Sequence, residues 1–146
     1  MNTEQRLDAL QRVANCEMDA IGIEMARVIS EDLENSDSTY SIGCYRPSAH
    51  EIVVDSYCLE QFSYAKILEN LLHECRHAYQ YSVISILNWD SSIVQRHQYF
   101  EDARRWKTEL IQEETDFHTY YLQSIECDAR SYAKDRLGLY LGAKNE

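Results

Sequence analysis

Proline and glycine are scarce in this chain: one and four residues among 146. So few turn formers argue against long irregular stretches and against an all-β architecture, which needs a turn at every hairpin. Long apolar runs are missing too. No stretch approaches the roughly 20 residues of a membrane span. The opening segment, MNTEQRLDALQRV, has no basic start followed by an apolar run, so no signal peptide is expected. No two cysteines stand at CxxC spacing. Five are present, an odd number: Cys16, Cys44, Cys58, Cys75 and Cys127. They are expected to be reduced, buried thiols of a cytoplasmic protein. Positive charge is short as well, 14 Lys and Arg against 25 Asp and Glu, for a net charge of −11. Nucleic acid and anionic membrane surfaces call for basic patches, so neither is an expected partner.

What the chain does have is apolar content, 45%, and eleven Tyr. Length and composition together predict one globular domain over residues 1–146. Apolar residues recur at steps of three and four from about Thr3 to Ile29, as in an amphipathic helix. A polar stretch, EDLENSDS, follows. The segment TYSIGCYRPSAHEIVVDSY reads as two short strands around a turn at Pro47–Ser48. Helical patterns then cover about Leu59–Leu87, Ile93–Glu113 and Tyr120–Tyr140, with a break at Asn88–Ser92 where Ser or Asp can cap the next helix. Strands segregated from helices give an α+β class.

Residues 73–77 read His-Glu-Cys-Arg-His, the pattern HExxH. Four residues apart on a helix is one turn, so His73 and His77 share a face and can hold one zinc ion from the same side. Glu74 lies about 100° further round, within reach of a water on that ion. Zinc brings such a water towards a pKa of about 7, and a neighbouring carboxylate can then accept its proton. Ala65, Leu68, Leu71, Leu72, Cys75, Ala78 and Tyr79 form the apolar side of this helix, and the histidines face away from it, beside Glu69 and Gln80. The plain alternative is a pair of histidines on a solvated face.

A catalytic zinc takes three protein ligands. The extended pattern HExxHxxGxxH is absent, because Gln80 and Val83 stand where its Gly and third His would be. The last helix offers a carboxylate instead. Glu126 sits within the stripe Leu122, Ile125, Ala129, Tyr132, Ala133 and Leu137. Burying an ionised carboxylate needs a cation or a metal beside it. Zinc is one such partner; Arg130 or Arg76 is another. His97 and His118 are rival ligands without a neighbour at metal-binding spacing.

The runs Leu71-Leu72-His73-Glu74-Cys75-Arg76-His77-Ala78-Tyr79-Gln80 and Ile125-Glu126-Cys127-Asp128-Ala129-Arg130-Ser131-Tyr132-Ala133 resemble the small gluzincin-type zinc metallopeptidases of bacteria and phages. Those proteins share HExRHAxQ on one helix and ExDAxxxA on a later one. The resemblance covers about residues 40–140, hairpin included. It implies a minimal zincin-like fold, with the N-terminal helix and a small sheet over the HExxH helix, and a peptide or protein substrate paired to the sheet edge. It implies His73, His77 and Glu126 as zinc ligands and Glu74 as general base. Larger gluzincins carry an Asp four residues after the ligand Glu, to orient the first His. Arg130 stands there in this chain, and Asp128, two residues from Glu126, points to a different side of the helix. For the group that steadies the reaction's oxyanion, Tyr132 is chosen over Tyr120, Tyr121 and Arg130 because it shares the stripe of Glu126. Two other functions fit parts of the sequence. One is a non-peptidase zinc amidohydrolase such as a deformylase, with Cys58–Leu59 as a poor match to its Cys ligand. The other is an inactive zinc-binding interaction module, which would have no use for Glu74.

Overall fold

The computed structural model describes residues 1–35, 41–111 and 117–141, apart from the side chains of Ile111, Phe117 and His118. Helix α1 (Thr3–Ile21) begins at Asn2, whose side chain accepts the Gln5 N–H while the Gln5 side chain accepts the Asn2 N–H. The apolar spacing predicts a helix as far as Ile29, but α1 ends at Ile21. Gly22 takes a left-handed φ of 75°, and the N–H groups of Gly22 and Ile23 fold back onto the carbonyls of Asp19 and Met18. A glycine just past the last turn is the sequence sign of such an ending. Beyond it, Val28 and Ile29 belong to strand β1 (Arg27–Glu31).

Strands β2 (Gly43–Arg46) and β3 (Glu51–Asp55) form the expected antiparallel hairpin, with Tyr45 opposite Ile52. Residues 36–40, where the first of its strands was expected to begin, lie outside the described residues. β1 adds to the other side of β3 in parallel, so the sheet runs β1-β3-β2. The central strand is the apolar one: Ile52, Val53 and Val54 are buried. β2 is an edge.

The pattern predicted for Leu59–Leu87 is two helices. α2 (Ser56–Gln61) stops at Phe62, and Ser63 caps the long α3 (Tyr64–Ile86) through the Lys66 N–H. The pattern predicted for Ile93–Glu113 also divides, at the extended backbone of His97, into α4 (Ser92–Arg96), a 3-10 turn (Gln98–Phe100) and α5 (Glu101–Ile111). Ser91 precedes α4 but makes no side-chain cap, and Glu113 is outside the described residues. The last pattern becomes α6 (Phe117–Leu122) and α7 (Ser124–Leu141). The described residues thus form an α+β structure of seven α-helices and a mixed three-stranded sheet.

α3 is the spine. Ile67, Leu68, Leu71, Leu72, Cys75 and Ala78 lie at 0–1% exposure in one core with Leu10, Ala14 and Met18 of α1, Ile52 and Val54 of β3, and Ala133 of α7. Each fully buried Leu or Ile contributes about 1.5–3 kcal/mol, so this side of α3 cannot turn to solvent. The opposite side is thereby fixed towards α7 and β2. The cysteines depart from expectation: all five are free, but only Cys58 and Cys75 are buried, with Cys16 and Cys127 exposed and Cys44 between. No helix among the described residues is long and apolar enough to cross a membrane.

β2 approaches α3 closely at one glycine. A Cβ on Gly43 would lie 2.6 Å from the Val53 carbonyl oxygen and 2.7 Å from Asn70 Oδ1. The first is backbone and can yield only by opening the hairpin. Gly43→Ala should therefore destabilise the fold by about 1–3 kcal/mol, as overpacking does. Thermal melting would register this as a fall of several degrees; an unchanged midpoint would mean β2 is not held this near to α3.

Candidate metal centre

The fixed orientation of α3 brings His73 and His77 to the face opposite its core side, their rings 4.7 Å apart and nearly perpendicular. α7 brings Glu126 to meet them. The carboxylate bridges the pair: Oε1 lies 3.1 Å from His73 Nε2 and Oε2 lies 3.0 Å from His77 Nε2. The side chains of His73, His77 and Glu126 are 17, 11 and 9% exposed, largely out of water yet open on one side. Donor atoms of all three lie within 4.8 Å of one another. A tetrahedral zinc with bonds of about 2.0–2.1 Å sets its donors about 3.4 Å apart, so two imidazole nitrogens and a carboxylate oxygen converge at a fitting spacing.

The rival partners of Glu126 are engaged elsewhere. Arg76 makes a double contact with Asp128, at 2.7 and 3.2 Å. Arg130 lies over the Tyr121 ring at 3.6 Å and donates to Cys127 Sγ. It therefore does not orient His73. His97 accepts the Tyr99 N–H at an exposed turn away from the site. The side chain of His118 is outside the described residues. Cys58 is buried in α2 and is not a member of the metal-competent group.

α7 is seated for this meeting at its N-terminus. Glu109 of α5 accepts from Ser124 N and Oγ, at 2.7 Å each, and from Ile125 N at 2.9 Å. Those amides would otherwise lack partners. Glu126 then falls in the first turn, where the helix dipole favours a negative charge.

Glu74 is not among the converging ligands. It is 6% exposed, and its Oε1 accepts the Tyr45 N–H of edge strand β2 at 3.1 Å. Burial pushes its pKa above the ordinary carboxylate value; His77 and His73 pull it down, Glu126 pushes it up, and the rise prevails. Two cavities meet at this carboxylate. One, of about 330 Å³, is lined by Tyr45, His77, Tyr81, Leu110 and Gln123 among others. The second, of about 530 Å³, is lined by Lys66, Asn70, His73, Tyr121 and Arg130. Ser41, Gly43, Glu74, Tyr120 and Glu126 belong to both walls.

Tyr132 is not at the site. Its hydroxyl donates to the fully buried Glu17 of α1, which also receives Arg136 and Tyr140. Six residues beyond Glu126 is about 240° round the helix, so sharing an apolar stripe does not bring Tyr132 to the same side. The tyrosine that lines both cavities is Tyr120 of α6, and its pKa is pushed up by burial and by Glu126 and Glu74. Two further residues depart from the reading of the sequence. Gln80, placed with the histidines on the side away from the apolar stripe, is fully buried and takes the His77 Nδ1 contact at 2.7 Å. Asp128 does reach the site's surroundings, through Gln80 Nε2 at 2.8 Å. Glu109 carried no signal in the sequence beyond being one of many acidic residues.

In the metal-free chain, burial pushes His77 down, but its hydrogen bond to Glu126 and the charges of Glu74 and Glu126 outweigh that, and its pKa rises to about 9. Burial pushes Glu126 up, and the hydrogen bonds from His73 and His77 bring it down to about 2. A metal ion at this position would compete with the proton for His77 Nε2. Zinc uptake at pH 7 should thus expel a proton from His77, and affinity should climb with pH until it levels off above about 9. Titration calorimetry in buffers of differing ionisation enthalpy measures this; an affinity flat between pH 7 and 9 would contradict it.

No protein-family model, no curated protein and no solved structure matches the chain.

Proposed function

We propose that this chain is a zinc-dependent peptidase, with His73, His77 and Glu126 as ligands and Glu74 as general base. The observation that carries the reading is a carboxylate that takes no part in the converging triad, buried where two cavities meet beside it. A purely structural zinc site has no need of such a group. Bound zinc would supply Lewis-acid polarisation of the scissile carbonyl and an acidified water. The rest falls to the chain's own side chains. The Tyr45 N–H pins Glu74 Oε1, which leaves Oε2 to take a proton from the attacking water. A pKa above the ordinary carboxylate value suits both that task and the return of the proton to the departing amine.

The substrate would lie in the cleft formed by the two cavities, with β2 as one wall. An extended peptide fits an edge strand, whose outward backbone groups supply hydrogen bonds and whose flanking cavities accept alternate side chains. Because Glu74 already takes the Tyr45 N–H, pairing would use the remaining edge groups. Tyr120 stands in for Tyr132 as the hydroxyl that donates to the oxyanion. Partial desolvation and the charges of Glu126 and Glu74 raise its pKa, so it keeps the proton that role requires.

Zinc analysis joined to a peptide-library assay tests the proposal. The expected result is about one zinc per chain and cleavage that is lost on chelation. Glu74→Gln should retain zinc while hydrolysis falls by roughly 10²–10⁴, the contribution of a general base. Zinc binding without hydrolysis would leave an interaction module; turnover confined to small non-peptide amides would leave an amidohydrolase.

A second pair of variants separates the tyrosines. Tyr120→Phe should lower kcat by roughly 10²–10³ with the melting temperature nearly unchanged. Tyr132→Phe should do the reverse, because it removes a donor from buried Glu17. Equal loss of kcat in both would refute the assignment of Tyr120.

A further inference from the structure

The geometry points to Gln80 as the residue that fixes the ring of His77, with its own orientation dictated by Asp128 and the Ile125 carbonyl. This rests on the zinc reading above. An amide side chain can be turned either way about its last bond, and its neighbours decide which end is which. One end of Gln80 meets two groups, the Ile125 carbonyl oxygen at 3.0 Å and Asp128 Oδ2 at 2.8 Å. A carbonyl only accepts. Asp128 only accepts as well: its two carboxylate oxygens take hydrogen bonds from two Arg76 nitrogens. That end of Gln80 must therefore be the NH₂ group.

The other end is then the oxygen, and it faces His77 Nδ1 at 2.7 Å. An oxygen demands a proton on Nδ1, which leaves the Nε2 lone pair to point at the metal position beside Glu126. The chain of dictation runs from Arg76 to Asp128 to Gln80 to His77. Two of its members are held firmly. Arg76 is sandwiched near the rings of Tyr79 and Tyr132, at 4.5 and 5.1 Å, and Gln80 is fully buried. The same two contacts join α3 to the first turns of α7, the helix that carries Glu126. Arg76, Gln80 and Asp128 are three of the motif positions to which ligation and catalysis give no task.

Gln80 is thus a positioning residue, and a neutral one. A carboxylate in its place is the usual partner of a metal-bound histidine. Here it would face Asp128 and the Ile125 carbonyl with no proton between them. Zinc affinity, measured by competition with a chromophoric chelator at pH 7.5, tests this in the wild type and in Gln80→Leu, Gln80→Glu and Asp128→Ala. Gln80→Leu is expected to bind zinc roughly 10- to 100-fold more weakly, the usual loss for such an outer partner. Gln80→Glu is expected to be no better than Gln80→Leu. Asp128→Ala frees the amide to turn, and is expected to lose affinity in the same direction while keeping all three ligands; it serves if the Gln80 variants do not fold. A ¹⁵N-histidine spectrum of the zinc-loaded wild type should show His77 metallated at Nε2 and protonated at Nδ1, a signature that a packing role alone would not produce. Wild-type affinity in Gln80→Leu or Asp128→Ala, or tighter binding in Gln80→Glu, overturns the inference. A wild type that binds no zinc overturns the zinc reading itself and is a separate result.

Discussion

A carboxylate taken out of water must be met by cations or by several donors, or it will not stay ionised. Glu126 is met by two imidazoles of a different helix, and that demand organises the molecule. α7 has to be held against α3 at a register good to a fraction of a turn. Glu109 secures the amides that open α7, and Gln80 and Arg76 reach across from α3 to Ile125 and Asp128. Further along α7 a second buried carboxylate does the same towards α1: Glu17 gathers Tyr132, Arg136 and Tyr140. α7 is thus clamped at one end by a carboxylate of its own and further along by one of α1. These polar clamps set its register, while Ala129 and Ala133 allow close approach to the core.

The other half of the site depends on the sheet. Glu74 is held by a backbone N–H of an edge strand, and that strand packs against β3 and α3 at position 43, where a Cβ would meet the Val53 carbonyl and the Asn70 side chain. The parallel strand β1 contributes indirectly. It pairs with the far side of β3, so β3 is the central strand with Ile52, Val53 and Val54 buried, and among the described residues β2 is the edge beside the cleft.

What the sequence disclosed follows from the range of each signal. The HExxH spacing is local, so the shared face of His73 and His77 was legible from helical geometry alone. Glu126 is legible as a charge among apolar neighbours, though not its partner; only in three dimensions are Arg76 seen on Asp128, Arg130 over Tyr121, and the carboxylate between His73 and His77. Tyr132 was misplaced because an apolar stripe spans more than 100° of a helix, and both Glu17 and Glu126 lie along the faces it presents. Asp128 points away from Glu126 on its helix, so Cβ directions alone separate it from the site; Arg76 and Gln80 of the facing helix are long enough to reach it. The helix boundaries failed at Gly22, Phe62 and His97, where one or two residues turn the backbone while the apolar rhythm continues across them.

Charge economy gives a reason for an amide behind His77. Glu74 and Glu126 already stand within the electrostatic reach of that ring, and both push its pKa up in the metal-free chain. Asp128 is one residue further out, neutralised by Arg76. A third carboxylate in direct contact with His77 would hold the imidazole's proton harder against incoming metal and add to the negative field on Glu74. An amide conveys the orientation imposed by Asp128 and Ile125 without conveying charge. Glu74, the base of the proposed mechanism, then keeps a pKa governed by its own burial, by the two histidines and by Glu126. The geometry of the ligand and the basicity of Glu74 can thus be set by different residues, although they stand three positions apart on the same helix.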